Sequence, residues 1–249
     1  MFKNELYNSS VKIGTWAEIP TPYASNIIAR AGIDFQIIDM EHGVIDFELA
    51  QNMIFAIKSE KKYSMIRVPC IDEAYTLRAL DTGVDGIIFP GVKNVGDVNK
   101  IIDYTKYPNI GKKGFNPYIS AGGYNRVNSE FFNNENKRTV IGIIIEGKEA
   151  FENIEEVVNN DWVDIVYIGQ YDLSVALGVP GDINNKLVLE ALEYALKIIN
   201  KHNKVAGCMV HSIEEAQLFI KKGCGVIVYK VDSGVLFGAY NSFISNLKK

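Results

Sequence analysis

Three ionisable residues closely follow one apolar run, in the segment IIDMEHG at positions 37–43. Asp39, Glu41 and His42 all come directly after that run. Carboxylates and imidazoles are costly to desolvate, so a strand that enters a core should not end in them without a reason. A histidine with a carboxylate in reach can move protons near neutral pH. The segment therefore predicts an acid–base site at the end of a strand.

Other charged residues stand at the ends of other apolar runs. Glu146 follows IGIII, Arg67 lies within MIRVP, and Asp172 comes just after VDIVYIG. Two carboxylates from neighbouring strands suit a hard divalent cation whose remaining ligands are water or substrate oxygens. An arginine beside them can stabilise negative charge that develops on an oxygen. Together with the histidine, this set predicts proton abstraction next to a carbonyl, which gives an enolate that reacts with a carbonyl carbon.

Each of these residues also has a purely structural interpretation. Asp39 could cap the following loop, and His42 could be a loop histidine with satisfied hydrogen bonds. Arg67 could simply be the ion-pair partner of Glu146. Asp172 resembles the N-cap of a short helix. A carboxylate at Glu146, after three isoleucines, is harder to explain structurally. The functional interpretation depends on five residues together, because the strand assignment rests on the hydrophobic pattern alone; they are Asp39, His42, Arg67, Glu146 and Asp172.

The elements that must position these residues alternate between strands and helices. Several strands are nearly continuous Ile/Val runs, as in parallel sheets covered by helices. Eight β–α units in 249 residues predict an α/β fold, a (β/α)8 TIM barrel that forms one domain over residues 1–249, with a doubly wound sheet as the competing architecture. The irregular segment 107–137 is expected to pass over the barrel mouth, as a lid or a subunit contact. The predicted strands are 11–19, 34–40, 63–68, 85–90, 139–146, 163–169, 204–210 and 225–231, and the predicted helices are 22–31, 46–60, 72–82, 95–106, 149–160, 185–202, 212–222 and 234–247.

The composition narrows the class of protein. With 47% hydrophobic and 22% charged residues the chain should form a substantial core, and a net charge of −4 offers no attraction for nucleic acid. No apolar run is long enough to span a membrane, and the start, MFKNELYNSS, has no apolar segment of a signal peptide. An odd number of cysteines, Cys70, Cys208 and Cys224, without metal-site or redox-pair spacing points to reduced thiols. We therefore expect a cytoplasmic protein without membrane or nucleic-acid partners.

Six stretches, read in order, resemble one known family. GTWAEI, FQIIDMEHG, IRVP, LDTGVDGIIFPGV, GIIIEG and VDIVYIGQYDLSVALG resemble the HpcH/HpaI family of class II pyruvate aldolases, over about residues 11–235. The resemblance implies a (β/α)8 barrel, commonly a hexamer in which neighbouring subunits exchange the last helix. It also implies reversible aldol cleavage of a 4-hydroxy-2-oxo acid to pyruvate and an aldehyde, through a metal-bound enolate. The metal would be Mg²⁺ or Mn²⁺, with Co²⁺ and Zn²⁺ left open.

The resemblance also implies roles for individual residues. Glu146 and Asp172 would be metal ligands, His42 the catalytic base, and Arg67 the group that stabilises the enolate.

Further positions match residues that support the base or bind the substrates. Asp81, in LDTG, matches the aspartate that supports the histidine's basicity, although Asp39 is nearer to the histidine in sequence. One turn would hold the pyruvate carboxylate through backbone N–H groups, and two side chains would flank the aldehyde. The turn comprises Gly169, Tyr171 and Asp172, and the flanking side chains are Trp16 and Met209.

Five positions depart from the family pattern in residues expected at the substrate-binding rim. Ile144 stands where the family has glutamine, and Lys113 and Ala121 stand where it has arginine. Gln170 and Tyr171 replace smaller residues. Because lysine lacks the bidentate fork of arginine, and no cation remains for a distal carboxylate, a neutral sugar-like or short aldehyde is expected.

Three other functions compete with this one. The chain could be a metal-dependent decarboxylase or CoA-ester lyase of a related barrel family. It could be a Schiff-base aldolase that uses Lys230, although this lysine could also pair with Asp232 or extend to the barrel end. It could also be a non-catalytic binding protein on the same scaffold.

Overall fold

The computed structural model describes residues 1–8 and 10–248 and contains a closed barrel of eight parallel strands in chain order. Each strand pairs with its sequence neighbour, and β8 closes the barrel on β1. This confirms the predicted (β/α)8 barrel and rules out the doubly wound sheet. The strands are β1 (Lys12–Ala17), β2 (Phe35–Asp39), β3 (Tyr63–Arg67), β4 (Gly86–Phe89), β5 (Val140–Ile145), β6 (Ile165–Ile168), β7 (Val205–Val210) and β8 (Val226–Val231).

Helices cover the outside of the barrel and begin where side chains cap them. Thr21 accepts a hydrogen bond from the backbone of Tyr23 ahead of Pro22, as the Thr-Pro pair predicts. The helices are α1 (Phe2–Tyr7), α2 (Pro22–Arg30), α3 (Phe47–Ser59), α4 (Glu73–Asp81), α5 (Val95–Thr105), α6 (Phe131–Arg138), α7 (Lys148–Glu152), α8 (Ile154–Val158), α9 (Gln170–Ala176), α10 (Lys186–Lys201), α11 (Ile213–Lys221) and α12 (Asp232–Leu247). Of these, α1, α6 and α9 were not among the helices predicted from the sequence.

Two apolar layers make up the core. The inner layer fills the barrel with side chains such as Trp16, Phe35 and Tyr167, and the outer layer packs the strands against the helices. Gly14 is required by the inner layer, because a Cβ there would lie 2.3 Å from the ring of Phe35. Since the barrel is filled, chemistry is confined to its ends.

The long irregular segment lies at the end of the barrel opposite to the predicted one. It leads from the end of α5 to the start of β5, so it covers the N-terminal ends of the strands rather than the mouth. Four of its rings pack together, Tyr107, Phe115, Phe131 and Phe132. The prediction of a lid over the mouth for residues 107–137 is therefore wrong within one chain.

The last helix, α12, leaves the barrel after β8 with an apolar surface uncovered. Phe237, Tyr240, Phe243 and Leu247 are each about 70% exposed. Its exchange with a neighbouring subunit remains a prediction. None of the helices within residues 1–8 and 10–248 is long and apolar enough to cross a membrane.

Candidate active site

A cavity of about 620 Å³ opens at the C-terminal ends of the barrel strands. It brings together eight of the ten residues that the sequence singled out for the site. These are Trp16, His42, Arg67, Glu146, Gly169, Tyr171, Asp172 and Met209. The other two, Asp39 and Asp81, do not line it.

Asp39 lies directly beneath this cavity and holds Arg67 in place. The Asp39 carboxylate is fully buried and accepts hydrogen bonds from Nε of Arg67 at 2.9 Å and from its Nη2. It also accepts from the backbone N–H groups of Glu41 at 3.0 Å and His42 at 3.2 Å. Asp39 is thus both a loop cap and an ion-pair partner. Its bond to His42 is to the backbone, not to the ring that it was expected to support.

The guanidinium of Arg67 is fixed on its remaining sides by Glu41 and Trp16. Its Nη1 lies 2.9 Å from Oε2 of Glu41, and its Cζ lies 4.4 Å from the centre of the Trp16 ring. Burial alone would lower the pKa of Arg67, but the hydrogen bonds and charge of Asp39 raise it overall. Arg67 is therefore a permanently charged, oriented donor, and its ion-pair partners are Asp39 and Glu41 rather than Glu146.

Glu146 follows β5 and is held in a tight position. Its Oε1 accepts a hydrogen bond from the backbone of Gly91 at 2.8 Å. A Cβ on Gly169 would lie 2.8 Å from its Cβ and 3.0 Å from its Oε2, so only glycine leaves room there. Burial raises the pKa of Glu146, and the nearby charge of Asp172 raises it further.

The two carboxylates Glu146 and Asp172 together suit a divalent cation. Both line the cavity, and the charge of Asp172 disfavours ionisation of Glu146. No group of three or more His, Cys, Asp or Glu side chains among the residues that the structure describes is arranged to hold a metal ion. A cation here would therefore take its remaining ligands from water and substrate, as Mg²⁺ commonly does.

His42 and Asp81 are not brought together. The imidazole of His42 lines the cavity on an exposed loop, whereas Asp81 ends α4 at the N-terminal side of the barrel. There Asp81 accepts from Nζ of Lys113 at 3.2 Å. Within one chain Asp81 therefore does not reach His42, because a helix that leads into a strand ends at the barrel bottom, and its support of the histidine stays a prediction.

Two of the departures from the family pattern also lie at that bottom. Lys113 is buried against Asp81 and the hydroxyl of Tyr107, and the backbone N–H of Ala121 faces the Asp81 carbonyl. They do not form the rim of this chain's cavity. Ile144 does line the cavity, as do Gln170 and Tyr171.

The cavity lining also includes His211, Lys230 and Tyr167, of which the sequence singled out only Lys230, as a residue that could form an imine. His211 comes directly after β7, so the rule applied to β2 and β5 would have found it. Lys230 also lines the cavity and forms no ion pair with Asp232 within the described residues; that carboxylate accepts instead from the backbone of Glu18 and Ile19. The hydroxyl of Tyr167, within the barrel, accepts from Nε1 of Trp16 at 3.1 Å.

Comparison with known proteins points to one family. The chain is 26% identical to 5-keto-4-deoxy-D-glucarate aldolase of Enterobacter sp. (strain 638), over 100% of this chain and 96% of that protein. A crystal structure of an HpcH/HpaI aldolase from Desulfitobacterium hafniense DCB-2 superposes with a TM-score of 0.95 at 25% identity, covering 100% of this chain and 97% of that one. An HpcH/HpaI aldolase/citrate lyase family protein from Burkholderia cenocepacia J2315, 22% identical, shares the fold with a TM-score of 0.94, covering 100% and 99%.

The model of the HpcH/HpaI aldolase/citrate lyase family matches residues 12–238. This match confirms both the resemblance seen in the motifs and the predicted enzyme class, a carbon–carbon lyase. The chain therefore belongs to the HpcH/HpaI aldolase/citrate lyase family.

Proposed function

We propose that this protein cleaves a 4-hydroxy-2-oxo acid reversibly to pyruvate and an aldehyde, with a divalent cation held by Glu146 and Asp172. The observation that carries the proposal is the meeting, in one cavity, of two mutually repelling carboxylates with an oriented arginine and a histidine. The cation, Mg²⁺ or Mn²⁺ in preference to Co²⁺ or Zn²⁺, supplies a Lewis acid that polarises the 2-oxo group. The side chains of the protein supply the proton transfer and the stabilisation of negative charge.

His42 is the proton-transfer group in this proposal. In the cleavage direction His42 accepts the proton of the C4 hydroxyl. The C3–C4 bond then breaks, and the electron pair of this bond passes to the pyruvate fragment. A proton then returns to C3 to give the methyl group of pyruvate. The imidazole stands on an exposed loop that lines the cavity, and the bond from the backbone N–H of His42 to Asp39 fixes this loop.

Arg67 stabilises the negative charge that develops on the C2 oxygen during this step. Its geometry is set before substrate arrives, because Asp39 and Glu41 engage its nitrogens and Trp16 covers its face. A donor that needs no reorganisation contributes most to a transition state.

The start of α9 is the proposed binding site of the 2-oxo acid carboxylate. The turn Gly169–Asp172 lies beside Glu146, and the first N–H groups of a helix have no partner within it. Trp16 and Met209, on other strands, would then flank the aldehyde portion.

We further propose that the enzyme is a cytoplasmic hexamer that exchanges α12 between neighbouring barrels. The exposed rings of Phe237, Tyr240 and Phe243 support this, since patches of this kind are normally covered. Sedimentation should give a hexamer for the wild type, and Phe243→Asp should dissociate it. A wild-type monomer would contradict the proposal.

The first test is loss of the pyruvate methyl proton signal in D2O, followed by NMR. Metal-stripped enzyme should be inert, and added Mg²⁺ should start the exchange. Glu146→Gln should lower metal affinity and exchange together, by at least ~10-fold, because the variant keeps the shape and loses the charge. Glu149→Gln, at an exposed glutamate on α7, is the matched control and should behave as wild type. Unchanged metal affinity in Glu146→Gln would overturn the ligand assignment.

The competing functions give different results in the same system. Inactivation by borohydride in the presence of pyruvate, without metal, would indicate an imine at a lysine such as Lys230. Metal binding without exchange would favour a decarboxylase, a CoA-ester lyase or a non-catalytic binding protein.

A further inference from the structure

A polar side chain stands in the apolar interior of the barrel, where the interior meets the cavity. Tyr167, the third residue of β6, belongs to the inner layer of the core and is 3% exposed. Its cross-strand neighbours are Ile144 on β5 and Gly207 on β7, neither of which has a polar side chain. A hydroxyl is costly to bury in such a place unless hydrogen bonds satisfy it. We therefore expect a partner for its oxygen and another for its proton.

One hydrogen bond satisfies the oxygen of Tyr167 and leaves its proton without an acceptor. Nε1 of Trp16 lies 3.1 Å from the hydroxyl, and the two rings meet edge to face with their centres 5.5 Å apart. An indole nitrogen can only donate, so the tyrosine oxygen must accept in this bond. Within residues 1–8 and 10–248 the hydroxyl makes no second hydrogen bond. Because Tyr167 lines the cavity, a bound ligand can receive its proton.

The phenol of Tyr167 stays protonated at neutral pH. Burial raises the pKa of Tyr167, and the hydrogen bond from Trp16 and the charge of Arg67 lower it by less. The bond from Trp16 also limits the directions in which the hydroxyl proton can point, because one side of the oxygen is already occupied. The hydroxyl is therefore a neutral and oriented donor, of the kind that stabilises an oxygen on which negative charge develops.

Tyr167 and Arg67 contact the same indole from different directions. The Cζ of Arg67 lies over the face of Trp16, 4.4 Å from the ring centre, whereas the Tyr167 hydroxyl is bonded to the nitrogen at the edge of that ring. Arg67 ends β3 and Tyr167 stands on β6, so the two donors belong to different walls of the barrel. The indole of Trp16 therefore brings a charged donor and a neutral donor to one part of the cavity.

We propose that the hydroxyl of Tyr167 is a second hydrogen-bond donor, alongside Arg67, to the C2 oxygen of the bound 2-oxo acid. This inference rests on the proposed aldol function. When a base removes a proton from C3 of pyruvate, the electron pair of that bond forms the C2–C3 double bond, and the C2 oxygen takes up the negative charge. A donor at this oxygen binds the enolate more tightly than pyruvate, so its loss should lower kcat more than it raises KM.

The first test removes only this hydroxyl. With Mg²⁺ present, Tyr167→Phe should lower kcat for pyruvate methyl exchange in D2O at least ~10-fold and change KM less than about threefold. Tyr63→Phe is the matched control, because Tyr63 begins β3 at the other end of the barrel and its hydroxyl donates to Glu5. This control also loses one hydrogen bond, but it should exchange as wild type does. A higher KM with unchanged kcat in Tyr167→Phe would place the hydroxyl at an atom whose charge stays constant, and would overturn the proposal.

Ligand binding gives a second measurement that does not depend on turnover. Oxalate carries a negatively charged oxygen where pyruvate has its keto oxygen, so it resembles the enolate more closely than pyruvate does. In calorimetric titrations with Mg²⁺ present, Tyr167→Phe should weaken the binding of oxalate at least ~10-fold and that of pyruvate less than about threefold. An equal loss for the two ligands, or unchanged affinity for oxalate, would contradict a donor at the C2 oxygen.

Exchange by the wild type separates failure of this inference from failure of the proposed function. If wild type with Mg²⁺ does not exchange the methyl protons of pyruvate, the aldol function itself fails, and the inference fails with it. If wild type exchanges and Tyr167→Phe has the same kcat, only the role of Tyr167 is wrong. A lower Tm of Tyr167→Phe together with wild-type kcat and oxalate affinity would mean that the hydroxyl serves only as the acceptor for Trp16.

Discussion

Replacing Asp39 by asparagine should destabilise the protein strongly even though the two side chains have the same shape. Asparagine Oδ1 can still accept from the backbone N–H groups of Glu41 and His42. Its NH2 group, however, would face Nη2 of Arg67, so that two donors meet where a carboxylate oxygen now accepts. The guanidinium, only 11% exposed, would then keep its charge without its main partner.

The size of the effect follows from the burial of this pair. Removing one partner of a buried ion pair costs about 3–5 kcal/mol, compared with ~0–1 kcal/mol for an exposed pair. Because Glu41 still pairs with Arg67, the lower end, about 3 kcal/mol, is expected. For a chain of this length that corresponds to a fall in Tm of about 6–12 °C.

Denaturant unfolding at one fixed protein concentration, together with pyruvate methyl exchange, is the assay. Asp46→Asn is the matched control, because Asp46 caps α3 with a bond to Leu49 at 2.8 Å and asparagine caps a helix about as well as aspartate. The control should change stability by less than ~0.5 kcal/mol. A cost below ~1 kcal/mol for Asp39→Asn would refute the argument that Asp39 holds Arg67. A stability loss with normal exchange would separate folding from catalysis and remove Arg67 from its proposed role.

Two other substitutions test the surroundings of the site and the barrel bottom. Gly169→Ala should weaken metal binding about tenfold or more, because the new Cβ would lie 2.8 Å from the Cβ of Glu146. Gly147→Ala is the control and should not weaken it, because a Cβ there would meet open space. Equal metal affinities in titrations of the two variants would contradict the argument. Burial lowers the pKa of Lys106 to about 7 in the folded protein. Between about pH 7 and 10.5 the unfolded chain therefore binds more protons than the folded one. The free energy of unfolding should rise with pH across that window, by up to about 5 kcal/mol. Lys106→Met should flatten this rise in denaturant unfolding, and a slope that persists in the variant would assign it to other groups.

The barrel could be predicted from sequence because its strands are short, buried on both faces and separated by amphipathic helices. Strand β5, the run VIGIII, is buried at every position, and such a run has few alternatives to a central parallel strand. Helices without a clear division into an apolar and a polar face were missed. One of them, α6, has the sequence FFNNENKR, in which polar residues outnumber apolar ones, and it is held by packing against its surroundings.

Two residues that the sequence associated with the site lie, within one chain, at the opposite end of the barrel from the cavity. In a (β/α)8 barrel the loops after strands form the mouth, and the loops after helices form the bottom. Asp81 closes a helix, and Lys113 lies in a segment that follows one, so both belong to the bottom. A motif match does not tell at which end of the barrel a residue lies, but the order of strands and helices along the chain does.

A bulge at Lys230, where β8 closes the barrel on β1, shows what the hydrophobic pattern cannot supply. In VIVYKV, regular alternation would place the lysine on the same face as the buried Val226 and Val228, and the sequence contains no glycine to mark a break. The extra residue is fixed instead by Thr15, which is distant in sequence and adjacent only after the barrel closes. The residues of β2, β3, β5 and β6 were found because each simply ends a strand. On β7, Met209 was also found from sequence and His211 follows the same pattern, whereas the left-handed backbone of Lys230 on β8 depends on the closure of the barrel against β1. The backbone of this last strand is therefore the part of the cavity wall that depends most on long-range structure.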